Sequence, residues 1–463
     1  MNNSASAAGT AQVEPAASTG DHERKLGLFA ASMAVVASII GAGIFSLPRI
    51  LGPFGVACLV GLGLAALGAM AVGLVFGALA RRDGAAHGPV SYANTAFGRM
   101  TAFATAWFFW LVAICSGGAL AAALSVFLEQ LIGVDFASWQ IILIGLFGTW
   151  LPIGINMFGS NIASRVGMTA TLLTITVLAF LVILGLFKVN ANDLGPFNAT
   201  DESILPVILQ TIVLSVFSFS GVESVAVLSD RIRNPRRNVM RASLIGVAIC
   251  GVVYLLSVFV VLGTVQDEDR RSGLASFSVS LNHILHTTYG GKVVALAATA
   301  ATVAAGIMYA MMGAQTARVA ANMDLFPRRF ARVSKKHEVP VFAMLVGGFT
   351  TVAILTLFRV GDQHEEILQK AVILVGIASA VTFLVCGAAA IKWAIKDRGQ
   401  GAPWWEAAAG VVSIIFALII AIGSLAVGQE VSAIAAVMWT VFGVVAYLLM
   451  RRRRSERESL NNS

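Results

Sequence analysis

The sequence predicts an all-α, polytopic membrane protein of about twelve spanning helices, at roughly 20 apolar residues per span. Three observations carry that prediction. Of 463 residues, 57% are hydrophobic and only 12% are charged, with a mean hydropathy of +0.83; a soluble domain carries about 25% charged residues. The apolar residues fall in long runs punctuated by Arg, Lys, Asp, Gly and Pro. Two of those runs are soft at their centres, at Gly41–Gly43 and at Ser218–Gly221. Glycine weakens a helix by about 1 kcal/mol relative to alanine, and unwound backbone at membrane depth is tolerated only where protein or a cavity surrounds it.

Residues 1–22 are rich in Ala, Ser, Asn and Gly, contain no apolar run and read as a disordered cytoplasmic tail. The first apolar run, 26–50, is too long for the core of a cleaved signal and has no cleavage site. Further spans are expected at 54–80, 100–130, 139–158, 166–188, 205–229, 240–264, 292–321, 340–359, 368–394, 405–427 and 431–450. The organisation follows: helices 1–6 over 23–230, helices 7–10 over 231–398, two peripheral helices over 399–450 and a basic cytoplasmic tail over 451–463.

The basic residues alternate from gap to gap. Arg81, Arg82, Arg99, Arg165, Arg231, Arg233, Arg236 and Arg237 fall on one side. Arg328, Arg329, Arg332, Lys335, Lys336, Lys392 and Lys396 join them, as do Arg24, Lys25 and the run Arg451–Arg454 near the ends. The opposite gaps mix few cations with Asp201, Glu202, Asp267, Glu268, Glu365 and Glu366. Both termini are therefore expected in the cytoplasm of a multi-pass cell-membrane protein. The net charge of +8 reads as these loops beside anionic lipid rather than as a nucleic-acid surface.

An odd number of spans per unit inverts the second unit in the membrane. Spans 1–5 and 6–10 each open with a soft helix, which matches the LeuT-like five-plus-five inverted repeat with helices 1 and 6 broken and substrate bound between them. Gly41, Ala42 and Gly43 would leave backbone N–H groups free at a half-helix N-terminus, where a carboxylate is attracted; the competing reading is close packing through small residues. Glu223 is the one acidic residue placed well inside a span, so it faces a cation, a coupled proton or a structural partner. Phe217, Tyr309, Trp107 and Trp110 offer ring faces to a cation, against the alternative that each simply packs. Cys58, Cys115, Cys250 and Cys386 lie in apolar runs without ligand spacing and read as small packing residues. No metal or other cofactor is expected, and with no GxxxxGK[ST] there is no sign of ATP drive.

Several motifs resemble those of the amino acid–polyamine–organocation transporters, and most closely the basic amino acid/polyamine antiporters typified by arginine/agmatine exchangers. Ile40-Gly41-Ala42-Gly43-Ile44-Phe45-Ser46-Leu47-Pro48 is similar to their first span, and Gly88-Pro89-Val90-Ser91-Tyr92-Ala93 to the loop before their third. Phe219-Ser220-Gly221-Val222-Glu223-Ser224, followed by Asn234-Pro235-Arg236-Arg237-Asn238-Val239, resembles their sixth span and the loop after it. Gly313-Ala314-Gln315-Thr316-Ala317-Arg318 resembles the end of their eighth span, and the likeness runs from about Lys25 to about Ala388.

The resemblance implies a role for each matching position. Ala42 and Gly43 would hold the substrate carboxylate, and the backbone at Ser218 and Ser220 its α-amino group. Phe217 stands where arginine exchangers carry a Trp that stacks on the guanidinium, Gly117 where they carry an Asn that binds it, and Tyr309 where they carry a Trp near the gate. Glu223 matches the glutamate that gates and senses protons. Phe for Trp and Gly for Asn put agmatine and arginine in doubt while leaving a cationic substrate standing. Some proton-coupled relatives carry a Lys in the fifth span; there is none between Val166 and Phe187, which favours exchange. The expected function is secondary transport, exchanging a cationic amino acid such as arginine, lysine or ornithine for a related amino acid or polyamine. The alternative is a broad-specificity amino acid:proton symporter. An enzyme is not expected, because no paired carboxylates or Ser/His sets lie at depth. The expected partners are the small-molecule substrate and the lipid bilayer, with a second copy in a homodimer as a further option.

Overall fold

The first apolar stretch breaks where its glycines stand. In the computed structural model, α1 (Leu28–Ile39) stops before Ile40 and Gly41, and α2 (Ala42–Leu51) resumes beyond them; the two halves of this span meet at a 48° bend. The structure describes residues 26–82, 88–190, 193–227, 229, 232–265, 276–334, 336–337, 339–358, 364–400, 403–427 and 430–461. The N-terminal tail expected over 1–22 lies outside them.

Helices then follow in order: α3 (Ala57–Arg82), α4 (Pro89–Phe97), α5 (Arg99–Ile132), α6 (Ser138–Met157), α7 (Ser160–Leu186), α8 (Ile204–Phe219), α9 (Ser224–Val227) and α10 (Pro235–Thr264). They continue with α11 (Ser276–Leu285), α12 (Tyr289–Asn322), α13 (Val341–Phe358), α14 (His364–Lys396), α15 (Trp405–Val427) and α16 (Glu430–Asn461). Among the described residues the one isolated β-bridge joins Leu26 to Ile232. Asn234 and Pro235 restart the helix as their chemistry dictates: Asn234 takes a left-handed conformation at the cap and Pro235 occupies the first turn, where a missing N–H costs nothing.

Among the described residues, ten helices are long and apolar enough to cross a membrane, and the bent α1–α2 pair makes eleven. The count of about twelve needs α13, whose 18 residues reach about 27 Å at a rise of ~1.5 Å each, just short of a hydrocarbon core of about 30 Å. Three boundaries move by five residues or more, among them the start of the seventh span, at Pro235 rather than 240. The fifth span starts at Ser160 rather than 166, because Arg165 does not interrupt the helix. The last helix runs on through 451–461, so the basic stretch read as a tail continues the helix.

The packing repeats with inverted order. α3 lies on α8 as α10 lies on α1; α14 lies on α5 as α7 lies on α12; α13 meets α5 as α6 meets α12. The short helices α4 and α11 occupy the same place in the two units, each packed on the long helix that follows it. α5 against α12 and α3 against α10 are the pairings that map onto themselves. This is the contact pattern of two five-helix units related by a two-fold, with α15 and α16 outside them.

Charge ties α15 on. Arg82 Nε lies 2.8 Å from Asp397 and its Nη1 lies 2.5 Å from Glu406, with Arg81 also paired to Glu406. Glu406 is buried in the first turn of α15, where both the arginines and the helix dipole stabilise its charge. Arg81 also stacks over Trp405. Along α16, Val437, Val441, Phe442, Val445 and Leu448 remain exposed, which suits acyl chains. Trp107, a candidate ring for a cation, is used otherwise: it stacks on Trp439 at 4.7 Å and donates to the Trp439 carbonyl at 2.9 Å. The four cysteines are buried and none is in a disulfide.

Candidate functional site

Ending a helix in the middle of a membrane leaves carbonyls and N–H groups to be satisfied. At the first break the buried Tyr254 hydroxyl, from α10, donates to the Ile39 carbonyl at 2.9 Å. Gly41 is required by proximity: a Cβ there would meet Ala305 Cβ at 2.9 Å and Leu120 Cδ2 at 3.1 Å. No side chain caps the N-terminus of α2. The first-turn N–H groups, from Ala42 onward, thus have no side-chain cap at the positive end of the helix.

The second break falls at Ser220–Glu223, between α8 and α9. This corrects the sequence reading by two residues, since Ser218 still belongs to α8. Gly221 decides the position. Its φ is +113°, which side-chain-bearing residues rarely adopt, and a Cβ would come within 2.7 Å of the Ser38 carbonyl oxygen. The two breaks touch directly. Ser38 and Ser224 pair through their hydroxyls at 2.9 Å, and a Cβ on Gly43 would lie 3.3 Å from Ser218 Oγ and 3.4 Å from Phe217 Cδ1. The two unwound segments thus face each other in contact.

Glu223 sits in the second break and is wholly buried. One carboxylate oxygen, Oε2, accepts the Gly221 N–H at 3.1 Å; the other, Oε1, has no hydrogen-bond partner. Tyr309, on α12, brings its hydroxyl beside Ser116 of α5 and Ser220, within electrostatic range of Glu223. Neither Ser116 Oγ nor Ser220 Oγ makes a well-formed hydrogen bond, although the tyrosine is near.

The structure therefore gathers Gly41, Ala42, Gly43, Phe217, Ser218, Ser220 and Glu223 at the contact of the two broken helices. Gly117 lies apart from them. It lines a small, partly open cleft among α5, α6, α12 and α13, together with Trp110, Thr149, Met344 and Thr351. Tyr309 borders that cleft as well as the Ser116–Ser220 cluster. Four participants escaped the sequence reading: Ser38, Ser116, Ser224 and Tyr254. For Ser116 a signal existed, since it stands directly before Gly117 in a stretch of small residues; the other three are ordinary helix residues whose partners lie far away in the chain.

The sequence matches the family described as Amino acid permease over residues 26–449, nearly the whole chain. The chain belongs to that family. Among curated relatives, the permease is 27% identical over 369 residues to the cadaverine/lysine antiporter of Escherichia coli (strain K12), covering 78% of this chain and 81% of that one. It is also 27% identical over 367 residues to a putative arginine/ornithine antiporter of the same organism, covering 75% and 78%. Among solved structures it is similar to a manganese transporter of Eremococcus coleocola, with a TM-score of 0.59 and 14% identity, covering 91% of this chain and 92% of the other. At that identity the likeness speaks for the fold alone, a LeuT-like arrangement of spanning helices. The permease is a transporter and not an enzyme.

Proposed function

We propose that this permease is a secondary active antiporter of the cell membrane, exchanging a cationic amino acid for a related amino acid or polyamine by alternating access. The observation that carries the reading is the wholly buried Glu223, with one oxygen unpartnered, set in the break between α8 and α9. A carboxylate at that depth needs a cation or a proton for at least part of the cycle. The relatives' names, one cadaverine/lysine and one arginine/ornithine antiporter, agree with it. In this reading the free N–H groups from Ala42 onward take the substrate carboxylate, the backbone around Ser218 and Ser220 its α-amino group, and Phe217 packs on the aliphatic stem. Tyr309 and Gly117 border the distal end, and Glu223 gates and couples. Both termini face the cytoplasm, by the distribution of Arg and Lys.

Proteoliposomes preloaded with lysine, ornithine or arginine test the reading. Uptake of labelled substrate should require one of these inside. Uptake into empty vesicles driven by an imposed proton gradient would identify a symporter, and uptake of neutral amino acids alone would refute the cationic assignment.

A further inference from the structure

Basic side chains from three separate stretches of chain gather at one corner of the bundle. Arg99 opens α5, Arg328 and Arg329 lie in the short turn after α12, and Arg451 stands in α16; all four are exposed. Ring contacts fix where they meet. Phe103 of α5 and Tyr447 of α16 pack with centroids 5.1 Å apart, and Phe103 also meets Phe326, just before the turn, at 6.0 Å. Trp107, one turn deeper than Phe103, stacks on Trp439, earlier in α16, so the two helices run antiparallel. Arg99 and Arg451 each stand four residues from the Phe103–Tyr447 pair and on the same side of it, about one turn, or ~6 Å, further out. Among the described contacts the acid that reaches this group is Asp324, paired with Arg328 at 3.2 Å.

We propose that this corner is a binding site for an anionic phospholipid, its phosphodiester held by Arg99 and Arg451 and flanked by Arg328. The site lies at the end of the bundle where the basic loops gather, the cytoplasmic end in the orientation proposed above.

The guanidinium of Arg99 is already held in place. Its Nη2 donates to the carbonyls of Met323 and Asp324 at 2.9 and 3.2 Å, and a fixed planar fork is the group best matched to phosphate oxygens. The first turn of α5 has no side-chain cap, so the positive end of that helix adds to the same field. Basic residues directly outside a span attract anionic lipid. Along α16, below Arg451, Val441, Phe442, Val445, Leu448 and Leu449 are exposed. Partners for a phosphate and a wall for acyl chains therefore lie along one helix, with the rings of Tyr447 and Phe103 at the level between them, where aromatic side chains favour the membrane interface. A free phosphate or a nucleic acid would meet only the upper part of this surface.

The test is thermal denaturation of the purified full-length protein in a neutral detergent, titrated with dioctanoyl phosphatidylglycerol, dioctanoyl phosphatidylcholine or inorganic phosphate. A ligand of the native state raises the melting temperature. Phosphatidylglycerol should raise it well above the other two, and the gain should shrink as salt is added. Arg451→Ala should weaken the apparent affinity for phosphatidylglycerol about fivefold, and Arg451→Lys less. Arg236→Ala, which removes an equally exposed arginine at the start of α10, should leave that affinity unchanged. Because Arg451 is exposed, its loss should not lower the melting temperature without lipid. Equal stabilisation by phosphatidylcholine or by phosphate overturns the site, as does an equal loss from Arg451→Ala and Arg236→Ala, which would show a diffuse attraction to the whole basic face. An Arg451→Ala protein that changes its oligomeric state and keeps its lipid response would assign the corner to a second copy of the chain and overturn the proposal as well.

Discussion

Replacing Gly221 by alanine tests whether the second break is built as described. Two effects act at this position. The backbone sits at φ +113°, and a side-chain-bearing residue held there is strained by about 1–3 kcal/mol. The new Cβ would also lie 2.7 Å from the Ser38 carbonyl oxygen, 2.8 Å from its carbon and 2.8 Å from Ser38 Cβ. These are backbone or stem atoms that cannot swing aside, and overpacking of that kind costs about 1–3 kcal/mol. The sum is about 4 kcal/mol, against a total stability on the order of 10 kcal/mol for an ordinary domain. The push falls on Ser38, which pairs with Ser224, so the junction of the two broken helices is displaced as well. Gly117→Ala is the control: it lies inside α5 with open space around its Cβ position, and alanine there is favoured by about 1 kcal/mol. Thermal denaturation in detergent should show Gly221→Ala melting well below wild type and Gly117→Ala at or above it. Reconstituted Gly221→Ala should also lose exchange. A Gly221→Ala protein with wild-type melting and wild-type exchange would refute the reasoning, since neither the strain nor the contact would then exist.

Glu223→Gln should express and fold normally, because the amide oxygen can take the place of the carboxylate Oε2 in accepting the Gly221 N–H. Exchange should nonetheless slow or lose its pH dependence between acid and neutral pH, and wild-type turnover across that range would show Glu223 to be a purely structural carboxylate. A cysteine at Lys336 should react with an impermeant thiol reagent only from the cytoplasmic side; labelling from outside whole cells would invert the topology argued from the basic residues. Glu406→Ala leaves Arg82 and Arg81 without their buried partner and should destabilise by about 2 kcal/mol, reduced from the deep-interior figure because the arginines are partly solvated. Reconstituted Glu406→Ala should keep its substrate affinity, and a selective loss of affinity would place the pair in the binding machinery instead.

Much of this architecture is legible without coordinates. Long apolar runs separated by Arg, Asp and Pro demand spanning helices, and alternating charge sets their expected orientation. The paired weaknesses at Gly41–Gly43 and Ser218–Gly221 mark both breaks, because glycine and serine support a helix poorly wherever it lies. Asn234-Pro235 announces the restart of α10 for an equally local reason. The misplacement of the second break by two residues is also physical. Propensity says that the stretch is weak, whereas Gly221, fitted against Ser38, says where it gives way.

What the sequence by itself determined is therefore the solvent, the span pattern and the two weak points, all set by properties that each segment carries alone: hydropathy, helix propensity and charge. What only the tertiary structure decided is which polar groups meet. Ser38 faces Ser224 across 186 residues of chain, Tyr254 caps Ile39 from 215 residues away, and Ser116 reaches Tyr309 only because α5 and α12 pack antiparallel. Trp107, a candidate for the substrate by type, went to Trp439 instead. A hydroxyl in a membrane helix has the same chemistry whether it bonds the carbonyl a turn behind it, as that of Thr105 does, or turns to another helix, as that of Ser116 does toward Tyr309. That choice belongs to the register between helices, and register is set by side-chain packing across the whole bundle.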